Sequence, residues 1–368
     1  MQAGISEKEA YVAFNLAERI GFATVSELAA KYGSVAAAWE AYPNKTSRAG
    51  GAVDVRAELA KAEKWGVEIV TPADAAYPPQ LATAPGRPLA LYVKGDVAAL
   101  SKPAIAIVGT RRATPYGLDQ AAKFASGLAA NGWSIVSGLA LGIDAEAHKG
   151  ALAAKGTTVG ILGGALDEFF PKENRDLARE IAASGGAVVS EFPFGRKPDQ
   201  QSFPQRNHVV AALAKGIIAV EAPVKSGTLI TTGFAADLGR VVMAVPGRVD
   251  SRSSAGCLGL IRDGARLVRS VRDVEEEMGE LFPRSMRGTA AAKDEPSPKP
   301  GSAAPEPLFS VEESMVMRHV DADGIRMDLL VEKTGLPAAK VNSVCMALRV
   351  KGRLRFFPGN RVALPRQD

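Results

Sequence analysis

Ala104-Ile-Ala-Ile-Val-Gly-Thr-Arg-Arg-Ala-Thr-Pro-Tyr-Gly117 is the stretch on which the reading of this chain turns. Ala104 to Val108 is a short unbroken apolar run, the pattern of a parallel strand buried on both faces. Gly109 ends it, and helical periodicity resumes near Tyr116. Ligands of an open α/β sheet sit at the carboxyl ends of such strands, where the following helix offers free N–H groups. Thr110, Arg111, Arg112 and Thr114 occupy that spot. Hydroxyls and guanidinium groups there suit an anion, and a phosphate above all.

Outward from this stretch the rhythm repeats. Further strands are expected at Ser134–Ser137, Thr157–Ile161, Ala187–Ser190, Gly216–Val220, Val241–Ala244 and Arg266–Val268. Helical patterns lie between them at Tyr116–Ala130, Asp144–Ala154, Asn174–Ala183, Asn207–Ala214, Leu229–Leu238 and Leu258–Asp263. Alternation of this kind predicts an α/β, Rossmann-like, mostly parallel sheet with helices on both faces. Glu7–Ile20 and Val25–Tyr32 predict a small N-terminal helical module of the SAM or helix-hairpin-helix kind, which could touch DNA backbone or simply cap the next domain. Asp54–Trp65 predicts a helix and Val67–Val70 a strand, after which a proline-rich connection at Tyr77–Leu81 leads to Leu91–Asp96.

The proline-rich, aperiodic stretch near Met286–Gly301 reads as a flexible linker. After it, Glu312–Val320, Arg326–Thr334 and Ala338–Val350 predict three helices, and Lys351–Leu364 a hairpin around Pro358-Gly359-Asn360. Three helices and a hairpin make a winged helix. With only Lys340 and Arg349 as cations on its third helix, this unit suits a protein partner as well as DNA. The expected divisions are a helical module at 1–75, a core at 76–282, a linker at 283–307 and a winged helix at 308–368.

Composition narrows the classes. The 368 residues are 46% apolar and 23% charged, ordinary for a protein with a sizeable core. No apolar run reaches membrane-spanning length and no basic-then-apolar leader opens the chain, so a cytoplasmic location without membrane contact is expected. Cys257 and Cys345 are the two cysteines, and three histidines are present, so neither a disulfide framework nor a metal centre is expected. The net charge of +5 permits a nucleic-acid partner without requiring one.

The loops after the strands hold the candidate binding residues. Ser137-Gly138-Leu-Ala-Leu-Gly-Ile-Asp144 brings glycines for close backbone approach, with Asp144 as a helix cap and His148 as a structural histidine. Gly163 follows the third strand, and Asn174 reads as an N-cap. Arg196 and Lys197 lie in a long loop, as cleft-mouth cations or as solvated ones. Phe203–His208 opens a helix and puts Arg206 and Asn207 in its first turn, where the dipole disfavours a cation unless an anion sits beside it. Lys225-Ser226-Gly227-Thr228 has the composition of a phosphate cradle at another helix start. Walker A spacing and the dinucleotide G-x-G-x-x-G are absent, so no cofactor is expected. Glu191 and Glu221, near strand ends, are candidate acids or bases, or carboxylates that hold loops. An enzyme of the phosphoribohydrolase kind and a nucleotide-sensing transcription regulator are therefore the rival classes to a binding protein.

Taken in order, Ile107–Gly117, Ser137–Asp144, Leu162-Gly-Gly-Ala-Leu-Asp167, Phe203-Pro-Gln-Arg-Asn207, Lys225–Thr228 and Val245-Pro-Gly247 resemble the DNA-processing protein A family of bacteria (DprA, also called Smf). The resemblance implies a non-enzymatic single-stranded-DNA-binding protein of natural transformation. It would shield incoming strands, load the RecA recombinase onto them, and form a homodimer through its core. It also implies that Gly109, Thr110, Arg111, Arg112, Ser137, Gly138, Gly163, Arg206, Asn207 and Lys225–Thr228 bind DNA or its phosphates, with Arg111, Arg206 and Lys225 on the phosphates. Two departures remove charge: Leu141 and His208 stand where the family often has arginine. Phe192, Phe194 and Phe203 are candidates for base stacking or for the core.

Overall fold

The computed structural model describes residues 4–17, 20–48, 50–279, 310–321 and 324–365. The linker expected over 283–307 lies outside them. The chain divides into two compact units, residues 1–112 with 120–288 and residues 113–119 with 289–368.

The first unit opens with α1 (Glu7–Leu16), α2 (Phe22–Tyr32), α3 (Val35–Ala41) and α4 (Val55–Trp65). Their starts follow from the sequence. Ser6 and Glu9 form a reciprocal capping box on α1, and Ser34 and Asp54 accept from the third N–H of α3 and α4. Helices α1 to α3 bury Phe14, Val25 and Trp39 in a core of their own. The sequence periodicity anticipated α1 and α2 but not the seven-residue helix α3.

Then come β1 (Glu68–Val70), α5 (Pro79–Ala82) and β2 (Leu91–Gly95), followed by the regular succession. It runs β3 (Ala104–Val108), α6 (Pro115–Ala130), β4 (Ser134–Ser137), α7 (Ile143–Ala153), β5 (Thr158–Ile161), α8 (Arg175–Ala183) and β6 (Ala187–Ser190). It continues with α9 (Ser202–Leu213), β7 (Gly216–Ala219), α10 (Gly227–Asp237), β8 (Val241–Ala244), α11 (Ala255–Arg262), β9 (Arg266–Leu267) and α12 (Val271–Gly279).

The nine strands form one sheet in the order β1-β2-β6-β5-β4-β3-β7-β8-β9. Only β1–β2 and β2–β6 pair antiparallel. Strands β3 to β7 are buried at every position, as in a parallel sheet covered by helices on both faces. From β3 the chain winds one way through β4, β5 and β6, then returns to lay β7 against the other side of β3. That reversal opens a crevice at the carboxyl ends of β3 and β7, where open α/β sheets take their ligands.

Two sequence expectations change here. Helix α9 begins at Ser202, five residues before the expected Asn207. Pro204 falls in its first turn, where a missing N–H costs nothing. Arg206 is therefore past the first turn, and the dipole argument made for it does not apply. Asp144 is not the cap of α7 either: Gly142 holds the cap position, and Asp144 is the helix's second residue.

The second unit contains α13 (Val311–Met317), β10 (Ile325–Arg326), α14 (Met327–Thr334), α15 (Ala338–Val350), β11 (Arg355–Phe357) and β12 (Arg361–Ala363). β12 pairs antiparallel with both β10 and β11, and Gly359 and Asn360 take left-handed φ in the turn between β11 and β12. Val316, Leu330, Val341, Leu348 and Val362 fill its core. Three helices, an added strand and a hairpin give a winged helix. Lys340 of α15 is ion-paired with Glu312, and the Arg349 guanidinium lies over the Phe356 ring.

Candidate nucleic-acid interface

A cleft of about 500 Å³ lies at the crevice between β3 and β7. The loop after β3 supplies Gly109, Thr110, Arg111 and Arg112; the loop after β7 and the start of α10 supply Lys225, Ser226, Gly227 and Thr228. Gly138 comes from the loop after β4, and Phe203, Arg206 and Asn207 from α9. The two main walls are tied together, since Thr110 N–H donates to the Glu221 carbonyl at 2.8 Å. The Thr110 hydroxyl accepts from Arg112 N–H at 3.2 Å, which fixes the turn that presents Arg111 and Arg112 to solvent.

On the opposite wall, Lys225 is exposed directly before α10. The N–H groups of a helix's first turn have no intrahelical acceptor, and they carry the positive end of its dipole. No side chain caps α10, and the buried Ser226 hydroxyl has no hydrogen-bond partner within the described residues. Asn207 Nδ2 reaches the Gly227 carbonyl at 3.4 Å. Three exposed cations and the N-terminus of a helix thus line one cleft.

A smaller recess continues from this cleft, lined by Arg111, Gly138, Leu141, Gly163, Phe170 and Phe203 among others. Gly163 has to be glycine, because a Cβ there would run into the Phe203 ring. Phe170 and Phe203 sit with centroids 6.2 Å apart. Leu141 is 38% exposed and gives this wall an apolar surface. His208 is not among the cleft-lining residues; it turns its ring to Phe234, and burial lowers its pKa.

In and beneath the floor, where Asp144 and Arg206 reach the lining, the polar groups are used for support. Ser137, expected to bind, is buried and donates to the Ile107 carbonyl at 2.6 Å. Arg206 is buried and donates through Nη1 to the carbonyls of Gly138 and Ile161. Asp144 accepts from Gly138 N–H at 3.1 Å. Asn174 is not a side-chain cap: its Nδ2 donates to the carbonyls of Leu139 and Ala140 at 2.9 and 3.0 Å. Leu139 needs that clamp, since it holds the left-handed φ of 52° that a branched residue avoids.

Neither carboxylate singled out as an acid or base lines the cleft. Glu191 is buried, accepts from Gln205 Nε2 at 2.8 Å, and is pushed up to about 7 by burial. Ser253 donates to Glu221 at 3.2 Å. Phe192 is buried in the core, Phe194 packs on Tyr92 and Trp65, and of the three candidate aromatics Phe203 alone lines the cleft. Arg196 pairs with Asp199. The sequence reading did not single out Gln200, Ile230 or Phe170, which also line these surfaces. Nothing in their local spacing marks them.

The profile of the DNA recombination-mediator protein A family matches residues 68–279, and that of the DprA winged helix domain matches residues 296–360. The chain belongs to the DprA/Smf family. Protein Smf of Escherichia coli K12 is 35% identical over 299 residues, covering 80% of this chain and 77% of its own. DNA processing protein DprA of Bacillus subtilis 168 is 38% identical over 223 residues, 60% of this chain and 75% of its own. The solved structure of Streptococcus pneumoniae DprA superposes with a TM-score of 0.62 at 32% identity, covering 75% of this chain and 99% of that one. Helicobacter pylori DNA processing protein A, solved to describe its single-stranded DNA binding mode, gives 0.53 at 30% identity over 58% of this chain and 97% of its own. No helix among the described residues is long and apolar enough to cross a membrane.

Proposed function

We propose that this DprA/Smf family member binds single-stranded DNA, without sequence preference and without catalysis, in the cleft over β3 and β7. The observation that carries the reading is the convergence of Arg111, Arg112 and Lys225 with the N-terminus of α10 around one cleft. Phosphates run between these cations and the free N–H groups, and Phe203 offers a ring face to a base. The relative from Helicobacter pylori, studied for its single-stranded DNA binding, supports the choice of ligand. A cleft with no carboxylate in its lining but Asp144, itself hydrogen-bonded to backbone, suits binding rather than hydrolysis.

The family resemblance adds the cellular role: a homodimer that protects incoming strands in natural transformation and hands them to the RecA recombinase. Fluorescence anisotropy with a labelled oligothymidylate and a matched duplex, from 50 to 300 mM salt, tests the ligand. Tight, salt-steep binding of the single strand supports the proposal. Equal or tighter binding of the duplex overturns it. Turnover of nucleoside monophosphates that Glu191→Gln abolishes would replace it with a phosphoribohydrolase. A pull-down with RecA and light scattering test partner and subunit number.

A further inference from the structure

Gly138 is gripped from both sides by buried charges. Its N–H donates to Asp144 Oδ2 at 3.1 Å, and its carbonyl accepts from Arg206 Nη1. The Asp144 carboxylate also takes the backbone N–H of Gly109 and of Ala140. Arg206 Nη1 donates as well to the carbonyl of Ile161, the last residue of β5, at 2.7 Å. One carboxylate and one guanidinium therefore join the carboxyl ends of β3, β4 and β5. A Cβ added to Gly138 would collide with both groups.

We propose that Asp144 and Arg206 are positioning residues, which lock these loops into the shape of the cleft, and that Arg206 works through the Gly138 and Ile161 carbonyls rather than as the counter-ion of a phosphate. The inference rests on the reading of the cleft as a single-stranded DNA site.

Four observations carry it. Arg206 is 4% exposed and Asp144 6%, whereas Arg111, Arg112 and Lys225 are exposed. The buried opposite charges offset each other, so the pair adds little net field for a phosphate. Arg206 Nε is buried without a partner, so the guanidinium is not turned to offer that edge to solvent. Leu139, between the gripped Gly138 and Ala140, has a left-handed φ, and Asn174 Nδ2 donates to its carbonyl. A phosphate drawn to Arg206 would have to approach the Asp144 carboxylate as well.

The test uses the full chain and three variants: Asp144→Asn, Arg206→Gln and Arg206→Lys. Binding to a labelled oligothymidylate is read as affinity against salt, and amide hydrogen exchange is read by mass spectrometry. The expected result has two parts. All three variants bind about tenfold more weakly with the wild-type salt slope, and amides at 109–112 and 138–142 exchange at least tenfold faster while those of β7 keep their protection.

Arg206→Gln lowering the slope by about 0.7, with Arg206→Lys restoring it and the loop amides unchanged, would make Arg206 a phosphate ligand and overturn the inference. Equal loss of protection in loops and β7 in all three variants would also overturn it, because the pair would then hold the whole fold. If the wild-type chain binds no oligothymidylate, the reading of the cleft fails by itself. The exchange measurement still decides the locking: unchanged loop protection overturns it, and selective loss upholds it.

Discussion

The Arg111 guanidinium lies over the face of the Phe203 ring, 5.0 Å from its centroid. The contact joins the loop after β3 to helix α9 across the cleft, and it combines the two groups that hold single strands, a cation and an aromatic platform. Arg111→Ala is expected to weaken oligothymidylate and mixed-sequence oligonucleotides alike, and to lower the salt slope by about 0.7, one phosphate's share on a single strand. Anisotropy titrations at four salt concentrations check it. Unchanged affinity and slope would remove Arg111 from the site.

Phe203 and Phe192 are expected to part company. Phe203 lines the cleft, and Phe203→Leu should cost about 1–3 kcal/mol of single-strand affinity, the measured range for losing a stacking ring, with little loss of stability. Phe192 is buried, and Phe192→Ala should cost about 3–5 kcal/mol of stability through the cavity it leaves. Urea melts and binding titrations on both variants separate the roles. A Phe203 variant that binds normally would leave the ring as wall only.

What the sequence disclosed follows the range of the forces involved. Strands β3 to β8 are short, mostly apolar segments separated by helical patterns, so each could be read locally, and the exposed cations Arg111 and Lys225 stood out as charges in the loops between them. The support beneath them is non-local. Arg206 meets Gly138 from 68 residues away and Ile161 from 45, and Asn174 meets Leu139 from 35. No local pattern distinguishes an arginine that will bond two carbonyls from one that will meet a phosphate. The helical pattern expected from Asn207 missed the first five residues of α9, where Pro204 is tolerated because a first-turn N–H has no intrahelical acceptor. The acidic helix α12, absent from the expected elements, did carry a local signal, since Val271, Val274 and Met278 stand at i, i+3 and i+7 on one helix face.

His148 should make the fold acid-sensitive. It is fully buried, and burial first, then the Arg206 charge, lowers its pKa from 6.5 to about 3. Thr158 spends its hydroxyl proton on the Ile135 carbonyl, so His148 Nδ1–H donates to Thr158 Oγ1 at 2.7 Å, and the ring is neutral. The folded pKa lies below the unfolded one. Its contribution is therefore complete above about 6.5 and is lost as pH falls from there towards 3. His148→Asn keeps an N–H donor but does not titrate. Between pH 7 and 5 the wild type should lose roughly 2 kcal/mol more than this variant, in urea melts at each pH. Parallel curves would show that the ring is not held neutral.

Glu191 should act in the opposite direction. Burial raises its pKa from 4.5 to about 7, against smaller lowering effects from the Gln205 hydrogen bond and the Arg48 charge. Its Oε1 is buried without a hydrogen-bond partner, so the ionised form leaves a desolvated charge there. A folded pKa above the unfolded one means that the contribution is present below about 4.5 and is lost as pH rises through about 7. Glu191→Gln stays neutral throughout and keeps an acceptor for Gln205. Relative to the wild type, it should gain on the order of 3 kcal/mol of stability between pH 4.5 and pH 8. Single-strand affinity should not change, because Glu191 lies outside the cleft lining. Melts at pH 5, 6, 7 and 8 locate the rise. A constant difference between the two proteins across that range would mean that Glu191 ionises in the fold as readily as in water.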